Sequence, residues 1–228
     1  MKVMKRILAT VLAAFFVIGV FAPMQTEAAT ISGGVHFQGW GNEAETICYF
    51  YVPKQGVTAF QYKIYYNSGR LKKTGDSYVY TVNGDTSKQC CKVEGLTSQA
   101  CTYVSIRAKK NGAWTSWSSK YSLVPMFRDS WLTLKGNKYN QTMKISWKKI
   151  TGTKAYDVYL STTGTGGWVK TASTTGSYVV LKTYNGKKFK SGQTYYFKVV
   201  AKKYENGKWM NSSGNNKKFR NGYFWFIY

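Results

Sequence analysis

Histidine is nearly missing from this sequence. The 228 residues hold a single one, His36, which excludes most catalytic triads and most imidazole metal sites. Acids are also scarce, with nine Asp and Glu against 33 Lys and Arg. No two of them form a spaced pair that reads as a glycosidase couple. Glycine loops with the spacing that cradles phosphates are missing, and so is any Cys-x-x-Cys pair, so the four cysteines do not read as a zinc site. Prolines number three, and few segments carry the 3.6-residue period of a helix. These absences predict a chain that is not an enzyme and takes neither cofactor nor metal.

What is present begins with export. Lys2, Lys5 and Arg6 precede an apolar run from Ile7 to Met24, followed by the small pair Ala28-Ala29. That order is the pattern of a cleavable signal peptide over residues 1–29, and Pro23 and the small-residue site favour it over a membrane anchor. Removing it takes away three cations and Glu27, so the net charge of +24 becomes +22. A surface so cationic attracts polyanions over a Debye length of about 8 Å. Its simplest use is solubility. Cys48, Cys90, Cys91 and Cys101 all fall in the first half of the exported part. An even number in an exported chain predicts disulfides.

The most informative pattern is an internal repeat. Tyr62-Lys-Ile-Tyr-Tyr66 aligns with Tyr156-Asp-Val-Tyr-Leu160, and Tyr103 to Lys110 aligns with Tyr196 to Lys203. Asn111-Gly-Ala-Trp114 aligns with Asn206-Gly-Lys-Trp209, after a loop two residues longer. The offsets of 94, 93 and 95 residues are nearly constant. Within each copy the apolar period is 2: Tyr62, Ile64 and Tyr66; Val104, Ile106 and Ala108; Met143, Ile145 and Trp147. Short alternating strands broken by turns, in units of about 95 residues, predict an all-β chain of two tandem two-sheet sandwiches. The expected units are residues 30–123, residues 124–217 and an aromatic tail, residues 218–228. That tail is expected to pack as an added strand or against the second sandwich.

The second unit resembles a bacterial fibronectin type III domain. Met143-Lys-Ile-Ser-Trp147 is similar to that family's B strand with its core Trp, Ala155 to Leu160 to its C strand, and Thr194 to Ala201 to its F strand. In that match Tyr195 takes the corner tyrosine position, whose hydroxyl bonds back to the preceding loop. The first unit is a divergent copy, with Thr102 at the corner and Tyr103 displaced by one. Such a shift moves the side chain to the other face of a strand. In the resemblance Cys48 falls in strand B, Cys90 and Cys91 in strand E, and Cys101 at the start of F. The favoured pairings are Cys91–Cys101 and Cys48–Cys90, among three possible connectivities. The resemblance implies a non-catalytic binding, adhesion or spacer protein. The signal and modules are similar to those of exported Gram-positive proteins.

Trp114-Thr-Ser-Trp117-Ser resembles the Trp-Ser-x-Trp-Ser box of cytokine-receptor modules, in which indoles stack with cations of the preceding strand. Arg107 and Lys109 alternate with Ile106 and Ala108, so they are expected to face outward beside Trp114 and Trp117, as a cation–π ladder or a sugar platform. The second copy keeps Trp209 but has Ser212 where a second Trp would stand, so it is not expected to share the ladder. Further cations that could touch a polyanion are Arg70, Lys72, Lys73, Lys187, Lys188, Lys217, Lys218 and Arg220. The expected partner is an anionic polymer or glycan of a cell envelope or matrix, with no specific nucleic acid and no membrane anchor after cleavage. Carbohydrate binding through exposed Trp and a purely structural spacer stay open.

Overall fold

The computed structural model describes residues 30–41, 46–82, 84–127, 129–137, 140–190 and 193–212. The signal segment, residues 1–29, and the tail, residues 218–228, lie outside the described residues, as do Lys217, Lys218 and Arg220.

The first unit runs β1 (His36–Trp40), β2 (Ile47–Pro53), β3 (Val57–Tyr66), β4 (Leu71–Ser77), β5 (Val79–Val82), β6 (Asp85–Glu94), β7 (Thr102–Lys110), β8 (Ala113–Trp114) and β9 (Tyr121–Leu123). One sheet has the order β1-β2-β6-β5; the other is β4-β3-β7-β8, with β9 on the far half of β7. The second unit enters through a 3-10 turn, Asp129–Trp131. It continues as β10 (Leu132–Asn137), β11 (Thr142–Trp147), β12 (Ala155–Ser161), β13 (Val169–Thr174), β14 (Tyr178–Leu181), β15 (Thr183–Tyr184), β16 (Lys187–Lys188), β17 (Tyr196–Glu205) and β18 (Lys208–Asn211). Its sheets are β10-β11-β14 and β13-β12-β17-β18, with β15 and β16 forming a small hairpin. In both units strands that are not consecutive lie side by side, as a Greek-key sandwich requires.

Alternation fills each core. Cys48, Phe50 and Val52 of β2, Phe60, Tyr62 and Ile64 of β3, Cys91 and Val93 of β6, and Val104, Ile106 and Ala108 of β7 form the first. Met143, Ile145, Trp147, Tyr156, Val158, Leu160, Phe197, Val199 and Ala201 dominate the second. Burying a large apolar side chain such as Phe50 contributes about 1.5–3 kcal/mol. Leu123 packs in the first core, and Val124 and Phe127 pack in the second. The short connection between units is therefore itself buried.

The corner differs between copies. Tyr195 is buried, and its hydroxyl accepts from the Lys190 amide at 3.0 Å. Thr102 is buried with its hydroxyl unpartnered.

All four cysteines are free thiols, so neither Cys91–Cys101 nor Cys48–Cys90 is formed. Strand geometry supplies the reason. Cys48 lies opposite Val93, and Cys90 lies opposite Tyr51. Cys48 and Cys91 belong to the inward set, and Cys90 belongs to the outward set. Cys91 packs in the first core, whereas Cys101 packs in the second. Burial raises the Cys91 thiol to about 12 and the Cys101 thiol to about 11. The Cys48 thiol is raised further, by burial and then by neighbouring Cys91.

Candidate functional site

The outer face of β3, β7 and the segment after β8 carries a row of alternating cations and indoles. Lys63 sits 4.3 Å from the Trp117 ring centre, and Arg107 sits 4.8 Å from Trp117 and 4.9 Å from Trp114. Lys109 ends the row 6.0 Å from Trp114. The Arg107 fork is held from below, since Gln61 Oε1 accepts both its Nε and Nη2, and Gln61 donates in turn to Asp76. Next to this row Lys120 lies 4.0 Å from the Tyr65 ring. Each such contact is worth about 0.5–1 kcal/mol at an exposed site.

Hydroxyls fix the two indoles. The Thr115 hydroxyl accepts from the Ala108 amide and the Ser118 hydroxyl from the Ile106 amide, both at 3.0 Å. The Thr115 and Ser118 amides donate back to the Ala108 and Ile106 carbonyls at 2.8 Å. A three-residue step in the box thus matches a two-residue step on β7, and Trp114 and Trp117 emerge on one side. Sequence spacing located Arg107, Lys109, Trp114 and Trp117. It missed Lys63, although period 2 places that residue outward between Tyr62 and Ile64.

The second unit builds an equivalent face from different residues. Lys198 lies 4.5 Å from Trp168 and 5.2 Å from Tyr159, and Lys202 lies 4.8 Å from Trp209. Lys202 and Lys170 also flank Asp157, at 3.1 and 3.2 Å. Burial pushes the Asp157 carboxyl up, but hydrogen bonds from Ser173, Lys202 and Lys170 outweigh it and hold the group below its ordinary value. The two-indole box itself is not repeated, and hairpin register shows what replaces it. Lys109 pairs with Trp114, whereas Lys202 pairs with Asn211. Ser212 therefore stands at the position of Thr115, and it makes the same reciprocal bonds with Ala201. Both hairpins turn on Asn-Gly with positive φ, Asn111-Gly112 and Asn206-Gly207, as a type I′ turn demands. The second hairpin is longer, so Trp209 projects farther along the strands.

Between the units lies a polar knot. Lys203, only 5% exposed, donates to Ser122 at 2.9 Å, pairs with Glu205 at 3.2 Å and sits 3.9 Å from the Tyr103 ring centre. The Tyr103 hydroxyl donates to the other Glu205 oxygen. Burial raises the Glu205 carboxyl, and hydrogen bonds from Tyr103, Lys203 and Ser122 more than reverse this, leaving it below 4.5. A backbone clasp adds to the contact: the Cys101 amide donates to Thr151, and the Thr151 amide donates to Gln99. Beside the knot an elbow groove of about 840 Å³ is lined by Asn67, Lys120, Tyr121, Asn206 and Lys208, among others.

The remaining cations are spread over other elements. Arg70 and Lys72 lie 5.0 and 5.9 Å from Tyr66, and Lys73 lies 6.0 Å from Tyr62. Lys72 is bound to the Gly95 carbonyl and the Thr97 hydroxyl. Burial and then Lys73 lower its pKa. Lys187 and Lys188 are exposed on β16.

A two-domain fibronectin type III segment of chicken tenascin is similar over 78% of this chain and 95% of its own, at 12% identity and a TM-score of 0.34. A chain of a cytokine receptor complex is similar over 79% of this chain and 96% of its own, at 14% identity and a TM-score of 0.39. No family model and no curated protein matches the sequence. The strand order in each unit settles the fold. The chain is a tandem of two β-sandwiches.

Proposed function

We propose that the protein is an exported, non-catalytic binding or adhesion protein that holds anionic cell-envelope or extracellular polymers on the cation–aromatic faces of its two F-strand sheets. The observation that carries this reading is the repetition of the device. Lys63, Arg107, Lys109 and Lys120 in the first unit, and Lys170, Lys198 and Lys202 in the second, stand on outer faces where aromatic rings or Asp157 fix their positions. Cations held in place lose less side-chain entropy on meeting a polyanion than free lysines do. Sugar stacking on Trp114 or Trp117 is the weaker use of this face. Arg107 lies over both rings, Lys63 over one and Lys109 over the other, so a sugar would have to displace a cation.

The test is retention of the purified protein on heparin, polyphosphate and teichoic acid against salt. Binding should fall steeply between about 50 and 500 mM salt. Lys109→Glu and Lys198→Glu should each weaken it about tenfold, a change of about 1.4 kcal/mol. No retention on any of the three polymers at low salt rejects the reading.

A further inference from the structure

We infer a second binding site, for a neutral sugar ring, in a groove on the outer face of the β1-β2-β6-β5 sheet, away from the sheets that carry the cation–aromatic rows. The groove has a volume of about 450 Å³, within the range of about 300–1,000 Å³ typical of small-ligand sites. It takes its walls from Tyr49 of β2 and Tyr80 of β5, and its end from β1 at Gly39, Trp40 and Gly41. It therefore crosses the sheet from one edge strand to the other.

A bulge shapes it. The pairing of β1 with β2 slips between Phe37 and Gly39, which turns the end of β1 and lets Trp40 pack against the core and edge-on to Phe37. At Gly41 a Cβ would come within 2.8 Å of the Tyr49 ring and of Ile47, so only glycine lets that ring lie against the strand. At Gly39 a Cβ would meet nothing within 4 Å, so the glycine leaves open space above the backbone. On the far side Tyr80 is 38% exposed. It stands across from Cys90, which is itself across from Tyr51, and the buried thiol fills the sheet surface between the two rings.

The chemistry of the lining selects the ligand. In a chain of net charge +24, none of the residues lining this groove among the described residues is charged. The nearest cations on the same face are already paired, Lys92 with Glu94 and Lys88 with Asp85. Among the described residues an anion would meet Lys92, opposite Tyr49 on β6, with its charge already held by Glu94, while the exposed Gln38 amide and Thr81 hydroxyl, which also line the groove, offer a ligand hydrogen bonds. A pyranose offers both a CH face for the tyrosine rings and hydroxyls for Gln38 and Thr81. The ligand class is a neutral polysaccharide, and its recognition is separate from polyanion binding.

Calorimetric titration with cellohexaose, mannohexaose and chitohexaose tests this. At least one should bind with a Kd of about 1 mM or tighter, and unchanged between about 50 and 500 mM salt. Tyr80→Ala should weaken it about tenfold and Gln38→Ala about threefold, with the thermal midpoints of both variants close to that of the parent. Lys109→Glu should leave sugar binding unaltered, which separates this site from the cationic faces. The inference fails if none of the three sugars binds at about 10 mM. It fails equally if binding survives Tyr80→Ala or collapses with salt.

Discussion

The two units solve one fold with different interiors. In the second, Trp147, Tyr156 and Phe127 meet at centroid distances of 5.3 to 6.5 Å, and Tyr195 pins the corner. In the first, Phe50 and the thiols of Cys48 and Cys91 occupy the inner faces of β2 and β6. The first corner has only Thr102, while Tyr103 faces the other way and joins Lys203 and Glu205. A one-residue shift on β7 thus removes a bond from within a unit and creates one between units. Divergence in the first copy is the sequence signature of its docking to the second.

Deleting the central side chain of each core gives the largest effects. Trp147→Ala and Phe50→Ala should each lose about 3–5 kcal/mol, seen as a lower midpoint in calorimetry. If the knot couples the units, either variant also lowers the transition of the other unit, whereas independent transitions would break the comparison. Lys203→Ala leaves Glu205 beside Tyr103 without its cation and should cost about 3 kcal/mol, with the two transitions separating.

The same knot carries a pH dependence. The Glu205 carboxyl is depressed in the folded state from 4.5, so its contribution is complete above pH 4.5 and is lost as pH falls through its folded value. Acid should therefore loosen the units from each other, and Glu205→Gln should flatten that part of the stability profile measured by denaturant titration. Smaller still is the corner. Tyr195→Phe should cost about 1 kcal/mol through the lost bond to Lys190, while Thr102→Val should be neutral or stabilising by up to about 1 kcal/mol, because its hydroxyl has no partner to lose. The smallest expected effect is none: reductant should leave the midpoint of the first unit unchanged, since its thiols are free.

Period 2 and the repeat made the sandwich pair legible before any coordinate, and the alternation of Ile106, Arg107, Ala108 and Lys109 located half of the first cationic face. The rest depended on neighbours distant in sequence. Lys63 reaches Trp117 from another strand, and Trp168 meets Lys198 from the loop before β13. The second copy lacks the paired Trp, and because its hairpin is lengthened on both arms while keeping its turn motif, Ser212 takes the place of Thr115 rather than of the second Trp. The cysteine pairings failed for a simpler reason: an even number argues for bridges, whereas face and depth decide whether two sulfurs can meet.

The buried thiols have a further use. Each is protonated and shielded while its surroundings stay folded, because burial raises all four pKa values. Alkylation must then wait for local opening. Cys48 and Cys91 time the opening of the first core, Cys90 the lifting of the tyrosines beside it on the outer sheet, and Cys101, lodged in the second core, the parting of the two units. The rate at which each one is labelled would turn the cysteines into four clocks, read by mass in one experiment without any engineered probe.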